Sequence, residues 1–163
     1  MTHQAYLLLG SNLGDREKQI KAALVSLASL GTVQSVSGLY RTEPWNMEAD
    51  VWFYNQAVEL ITELDAHALL ARILEIEQSL GRIRSKRPDE AYTSRNIDID
   101  MLYFDAAVIQ SPQLVIPHPR IQDRRFALAP MAELNPGFIH PVLQQTQAAL
   151  LRVCPDESFL ELI

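Results

Sequence analysis

Two stretches of helical period, each enclosed by apolar runs too short to be helices, constrain this chain more than any other feature. Ile20, Ala23, Leu24, Leu27 and Leu30 recur at the spacing of one helix face. They follow Asp15, a residue suited to an N-cap, and precede Gly31, the expected C-terminal stop. Leu69, Leu70, Ile73, Ile76 and Leu80 repeat the pattern between Asp65 and Gly81. Ahead of the first helix, Ala5 to Leu9 reads as a buried strand that ends in a turn at Gly10-Ser11-Asn12. Between the helices, Thr32 to Tyr40 reads as one strand with room for a bulge. Trp52 to Ile61 reads as another, and its alternation puts Phe53, Asn55 and Ala57 on one face. Ile97 to Phe104 is the fourth strand.

Strand, helix, strand, strand, helix, strand is the order of an α+β, ferredoxin-like βαββαβ sandwich with its two helices on one sheet face. An additional C-terminal strand and helices should decorate that core. Pro112 to Pro119 reads as extended, Asp123 as the cap of a short helix through Glu133, and Gln144 to Val153 as a last helix. A length of 163 residues suits one domain, 1–163, with a core of its own.

Composition narrows the function. Apolar residues make up 48% and charged residues 21%, the profile of an ordinary globular chain without disordered tracts. A formal net charge of −6 argues against a general nucleic-acid partner, which calls for a basic surface. Cys154 is the one cysteine, so an internal disulfide and a cysteine-rich zinc site are both excluded. No basic lead precedes Tyr6-Leu7-Leu8-Leu9, and that run is far shorter than a membrane span. A cytoplasmic protein without a membrane partner is expected.

The chemistry concentrates around Ile97-Asp98-Ile99-Asp100-Met101. Strand alternation sends both aspartates to one side and the apolar residues to the other, with the carboxylates about 7 Å apart at the backbone. Two charges held that close need a counter-charge, and magnesium, which takes one or two carboxylates with water and phosphate oxygens, supplies it. Just upstream, Arg82, Arg84, Lys86, Arg87 and Arg95 form a basic island in an acidic chain, suited to phosphate oxygens. The segment 82–96 has no helical or strand period and is expected to be an exposed loop. Gly10-Ser11-Asn12-Leu13-Gly14 lacks the lysine and the spacing of a phosphate-cradling P-loop and reads as a turn. These residues alone leave three functions open: phosphoryl transfer, a metal-dependent phosphohydrolase or nucleotidyl transferase, and a non-catalytic binding module.

The order of several short blocks goes further. Leu9-Gly10-Ser11-Asn12-Leu13-Gly14, Tyr40-Arg41-Thr42-Glu43-Pro44, Phe53-Tyr54-Asn55, Gly81-Arg82-Ile83-Arg84, Ser94-Arg95-Asn96-Ile97-Asp98-Ile99-Asp100, Pro117-His118-Pro119 and Arg124-Arg125-Phe126-Ala127-Leu128 occur in that sequence. Together they resemble the 6-hydroxymethyl-7,8-dihydropterin pyrophosphokinases of folate biosynthesis. The resemblance implies transfer of pyrophosphate from ATP to the hydroxymethyl group of the pterin, with AMP released. It implies two magnesium ions bridged by Asp98 and Asp100, catalytic contacts from Arg82 and Arg95, and ATP contacts from Glu77, Arg84, Arg95, His118 and Arg124. For the pterin it implies Thr42 and Asn55 at the ring edge, Phe53 and Phe126 on its faces, and Pro44 and Trp45 beside it. It also implies a monomer.

The chain departs from the family pattern in places. Ala91-Tyr92-Thr93-Ser94-Arg95 stands where many members have Arg-Trp-Gly-Pro-Arg, so Tyr92 is the expected lid aromatic, and Arg87 or Lys86 the expected substitute for the lost cation. Leu74 and Val115 stand where some members place polar nucleotide contacts, which shifts adenine recognition toward backbone groups.

Overall fold

In chain order the elements are β1 (His3–Ser11), α1 (Arg16–Leu27), β2 (Thr32–Val36), β3 (Tyr40–Thr42), β4 (Phe53–Thr62), α2 (Ala66–Ser79) and β5 (Asp98–Phe104). They continue as β6 (Ile109–Gln110), β7 (Val115–Ile116), a 3-10 turn (Ile121–Asp123), α3 (Arg125–Leu134), α4 (Gln147–Arg152) and β8 (Leu160–Leu162). The computed structural model describes residues 1–43, 52–81 and 97–163.

The caps expected at Asp15 and Asp65 both form. The Asp15 carboxylate accepts the Lys18 N–H at 3.1 Å and that of Asp65 accepts the Ala68 N–H at 2.8 Å, each satisfying a donor the helix leaves open. Gly81 follows α2 with φ of 93°, the left-handed conformation that ends a helix at little cost only in glycine. Gly31 is not such a stop. α1 ends at Leu27 with Ala28 in ordinary helical conformation, and the tighter bonds Ser29 N–H to Ser26 O and Leu30 N–H to Leu27 O close the turn first.

Strands β5, β1, β4, β3 and β8 lie side by side in that order, all antiparallel, and β2 pairs with the other half of the same β4 edge that β3 occupies. The order β5-β1-β4-β2 is the expected split arrangement. The strand expected over Thr32 to Tyr40 is divided into β2 and β3. Ser37 makes the break: its N–H donates to Ala57 O, its hydroxyl donates to Gly38 O, and that hydroxyl also accepts the Ala57 N–H. The expected bulge is present too, as a register shift between Val33 and Ser35.

Each face of the sheet buries its own core. On one side Leu7, Leu9, Val58, Leu60, Ile99 and Met101 pack with α1 and α2 residues such as Ile20, Leu27, Leu69 and Ile73. On the other, Tyr6, Leu8, Ala57, Leu102 and Tyr103 pack with Ala127, Leu128 and Met131 of α3 and Leu150 of α4. The late helices, expected as decoration, therefore form a second layer over the opposite face. Asp123 does not cap α3, because it is drawn into the 3-10 turn. The Asp156 carboxylate takes over, accepting the Arg125 N–H at 3.1 Å. β8 pairs along β3, a strand the sequence pattern had not marked. Among the described residues no helix is long and apolar enough to cross a membrane.

His140 organises the turn before α4. Its Nδ1 accepts the N–H groups of Val142 at 3.1 Å and Leu143 at 3.0 Å, so the ring must be neutral, and burial holds its pKa below the usual histidine value. A depressed folded pKa contributes stability that is present above the unfolded value, about 6.5, and is lost as pH falls through the folded one. Urea midpoints measured across this acid range should fall more steeply for the unsubstituted protein than for His140→Asn, whose amide oxygen accepts without titrating. Parallel curves would show that His140 does not couple the turn to pH.

Candidate active site

The register of three strands assembles the site. Asp98 of β5 lies opposite Gly10 of β1, Gly10 lies opposite Asn55 of β4, and Asn55 lies opposite Tyr40 of β3. One step along, Asp100, Leu8 and Ala57 form the next row. Directly opposed residues project to the same face, so both aspartates and Asn55 share the face that carries α3. Asp98 and Asn55 are two strand spacings apart, about 10 Å at the backbone. Both aspartates are partly exposed, whereas Met101 to Phe104 beyond them are buried. The carboxylates thus stand where the sheet reaches solvent.

Gly10 belongs to β1 rather than to a turn, and it separates the two halves of the row. A Cβ there would come within 2.9 Å of Asn55 Oδ1 and 3.8 Å of Phe53 Cδ1. The absent side chain is what lets Asn55 lean over the strand. A glycine inside an apolar strand signals such a close approach, and that signal was available in the sequence.

Asn55 is only 4% exposed and donates from Nδ2 to Thr42 Oγ1 at 2.8 Å, and Thr42, 3% exposed, faces Phe53 in the ladder. The Thr42 hydroxyl keeps its own proton to donate. Strand β3 is held onto α3 by Glu133, whose carboxylate accepts the Gly38 N–H and the Tyr40 hydroxyl, each at 2.7 Å. Burial first, then Glu133, pushes the Tyr40 phenol up to about 12, so it stays a donor. Sequence reading missed this clamp, because Glu133 lies on a helix with no local tie to β3.

Phe126, in the first turn of α3, packs against the second core, with the Arg124 guanidinium 5.7 Å from its ring centre. His118 is tied to β5 by its N–H, which donates to Leu102 O, and its Nδ1 accepts the Arg120 N–H at 3.3 Å. Burial first, and then the nearby Arg124, lower its pKa to about 4, while Asp98 pulls the other way. The ring is therefore neutral at pH 7 and presents Nε2–H as a donor. Asp98 and Arg124 thus both lie near the His118 ring.

Glu77 is 2% exposed, and its Oε2 accepts the Ile99 N–H at 2.9 Å, between the two aspartates. It reaches their strand from the α2 side and fixes its backbone. Among the described residues no three His, Cys, Asp or Glu side chains gather into a metal cage. A pair of carboxylates on an open face is the donor set magnesium takes when phosphates supply further ligands. Pro44, Trp45, Arg82, Arg84 and Arg95 lie outside the described residues, as do Lys86, Arg87 and Tyr92.

Comparison with known proteins bears directly on this geometry. Residues 6–136 match the family model for 7,8-dihydro-6-hydroxymethylpterin-pyrophosphokinase. The 2-amino-4-hydroxy-6-hydroxymethyldihydropteridine pyrophosphokinase of Methylorubrum extorquens is 41% identical over 138 residues, which cover 83% of this chain and 85% of the relative. That of Bacillus subtilis is 41% identical over 136 residues, 82% of this chain and 79% of the relative. In structure, an HPPK-DHPS of Plasmodium falciparum superposes with a TM-score of 0.75 at 20% identity over 93% of this chain. This chain spans 45% of that one, and the likeness is one of fold. The matched span takes in the whole row from Gly10 through Asn55 to Asp98 and Asp100, and the chain belongs to the 7,8-dihydro-6-hydroxymethylpterin-pyrophosphokinase family.

Proposed function

We propose that Asp98 and Asp100 hold two magnesium ions at the phosphates of ATP while Thr42 and Asn55, on the far side of β1, read the ring edge of the pterin. The reaction is the family's: pyrophosphate passes from ATP to 6-hydroxymethyl-7,8-dihydropterin, giving the pterin diphosphate and AMP. The observation that carries the assignment of roles is the single row Asp98, Gly10, Asn55 on one sheet face. It sets phosphate-side and ring-side groups about 10 Å apart, a distance the hydroxymethyl pterin can bridge.

The hydroxymethyl oxygen forms a bond to the β-phosphorus, the bond from that phosphorus to the α,β-bridging oxygen breaks, and the oxygen leaves with AMP as the hydroxyl proton is released. Little covalent help is needed from the protein, because alignment and neutralisation of oxygen charge lower most of the barrier. Magnesium, when bound, supplies that neutralisation. The Asn55 amide and Thr42 hydroxyl offer donors and acceptors that match an amide and guanidine-like ring edge. Phe53 and Phe126 supply aromatic surface for its faces, with Pro44 and Trp45 assigned beside them by resemblance. On the nucleotide side, neutral His118 donates from Nε2 and Arg124 adds positive charge. Glu77 serves that side by holding the backbone between the aspartates. Arg82 and Arg95 are assigned to the transferring phosphates and Arg84 to ATP, again by resemblance. ATP and the pterin are the partners, and the resemblance implies a monomer.

The direct assay incubates the protein with ATP, magnesium and the hydroxymethyl dihydropterin and follows AMP. Asp98→Ala and Asp100→Ala should each lower turnover at least about a thousandfold, the scale of losing a charge-stabilising group, without shifting the unfolding midpoint. Near-normal turnover in either would remove the metal assignment, and AMP formed equally without pterin would favour a hydrolase. Gly10→Ala tests the ring side. The added methyl pushes Asn55 from its place, and leaving a ring-edge group unpaired should raise the KM for pterin about tenfold or more with the KM for ATP unchanged. An unchanged KM for pterin would take Asn55 out of the reading.

A further inference from the structure

The segment from Asp156 to Leu162 lies beyond the residues matched by the family model, yet it meets both α3, which carries Phe126, and β3, which carries Thr42. β8 pairs with β3 so that Leu160 opposes Thr42, Glu161 opposes Arg41 and Leu162 opposes Tyr40. β3 is three residues long and would otherwise lie at the sheet edge. The side chains tighten this pairing. Glu161 Oε2 meets the Arg41 guanidinium at 2.6 Å, and the Phe159 N–H donates to Glu43 Oε1 at 2.9 Å. Arg41 and Glu43 are the two neighbours of Thr42. The Phe159 ring packs edge-on against Trp52, the neighbour of Phe53, at 5.7 Å between centres.

The other end of the segment is fixed beside Phe126. One Asp156 oxygen accepts the Arg125 N–H at 3.1 Å and the other accepts the Ser158 N–H at 2.9 Å. The chain is thereby clasped to the first residue of α3 and, a few residues later, laid along β3. Thr42 and Phe126 belong to elements that share no strand pairing. Glu133 ties α3 to the Gly38–Tyr40 end of β3, and this segment ties α3 to the Thr42 end.

We propose that residues 156–162 form a strap that sets the separation of Thr42 and Phe126, with Asp156, Phe159 and Glu161 as positioning residues for the pterin. The proposal deepens the functional reading above and rests on its placing of the ring between those two residues. None of the three reaches the ring-edge groups; they act on the flanks of the groups that do. The Arg41–Glu161 pair is half-exposed, and such pairs contribute little to stability, so its effect belongs in substrate binding rather than in the melting temperature.

Steady-state kinetics at saturating ATP separates the outcomes. Asp156→Ala and Glu161→Ala should each raise the KM for pterin about threefold and together about tenfold, with kcat and the KM for ATP within about twofold. Asp156→Asn, which keeps one of the two acceptor oxygens and replaces the other by an NH2 donor, should give a KM between those of Asp156→Ala and the unsubstituted protein. An unchanged KM for pterin in the double variant, or a parallel loss in kcat and both KM values, would overturn the strap. If the double variant fails to fold, Glu161→Ala alone must still show the threefold rise, and its absence overturns the proposal equally. Asn55→Ala run alongside distinguishes the two levels: a normal pterin KM there removes the ring-site reading itself, whereas a raised one beside a normal Glu161→Ala removes only the strap.

Discussion

Everything at the site depends on the pairing of β1 with β4 on one side and β5 on the other. β1 is buried along Ala5 to Leu9 on both faces, between the two cores, and its backbone groups are shared with both neighbours. Because strand side chains alternate with period two, a slip of one residue would carry Asp98 and Asp100 to the face of α1 and α2 and turn Ile99 outward. The two cores forbid the slip. Leu7 and Leu9 must meet one helical layer and Tyr6 and Leu8 the other, so the hydrophobic energy of both layers fixes the row in which Asp98, Gly10 and Asn55 stand.

That arrangement also explains how two carboxylates are accommodated on an otherwise buried strand. Their neighbours toward the far end are buried, and the apolar side of the strand is packed, but the aspartates themselves are partly exposed. The backbone between them is pinned by the Glu77 carboxylate from the opposite face. A rigid strand presenting charged groups at its open end lets binding energy go to the ligands instead of to ordering the protein. Asp98 and the cation of Arg124 both lie near the neutral His118, and the polar set is completed by Thr42 and Asn55 across Gly10.

Local patterns in the sequence were reliable where a single element decides the outcome. The caps at Asp15 and Asp65, the stop at Gly81 and the shared face of the aspartates all depend on backbone geometry within a few residues. Errors came where distant residues compete. Asp123 has the chemistry of a cap, yet Asp156 reaches the α3 terminus from another part of the chain. The run from Thr32 to Tyr40 has strand propensity throughout, but the bonds of Ser37 to Ala57 and Gly38 divide it. β8 carries too short a pattern to be marked, and it becomes a strand because β3 offers it an edge.

By itself, then, the sequence determined the order of strands and helices, the face on which each strand places its polar residues, and the family-specific blocks that name the reaction. The first two follow from periodicity and capping, which act within one element, and the blocks name the reaction only through their resemblance to the family. The tertiary structure decided which strands became neighbours, that Gly10 would stand between a carboxylate and an amide, that α3 would cover the opposite face, and that the segment 156–162 would bridge α3 and β3. Those outcomes depend on pairings between parts of the chain remote in sequence, and only the burial energy of the whole core selects among them.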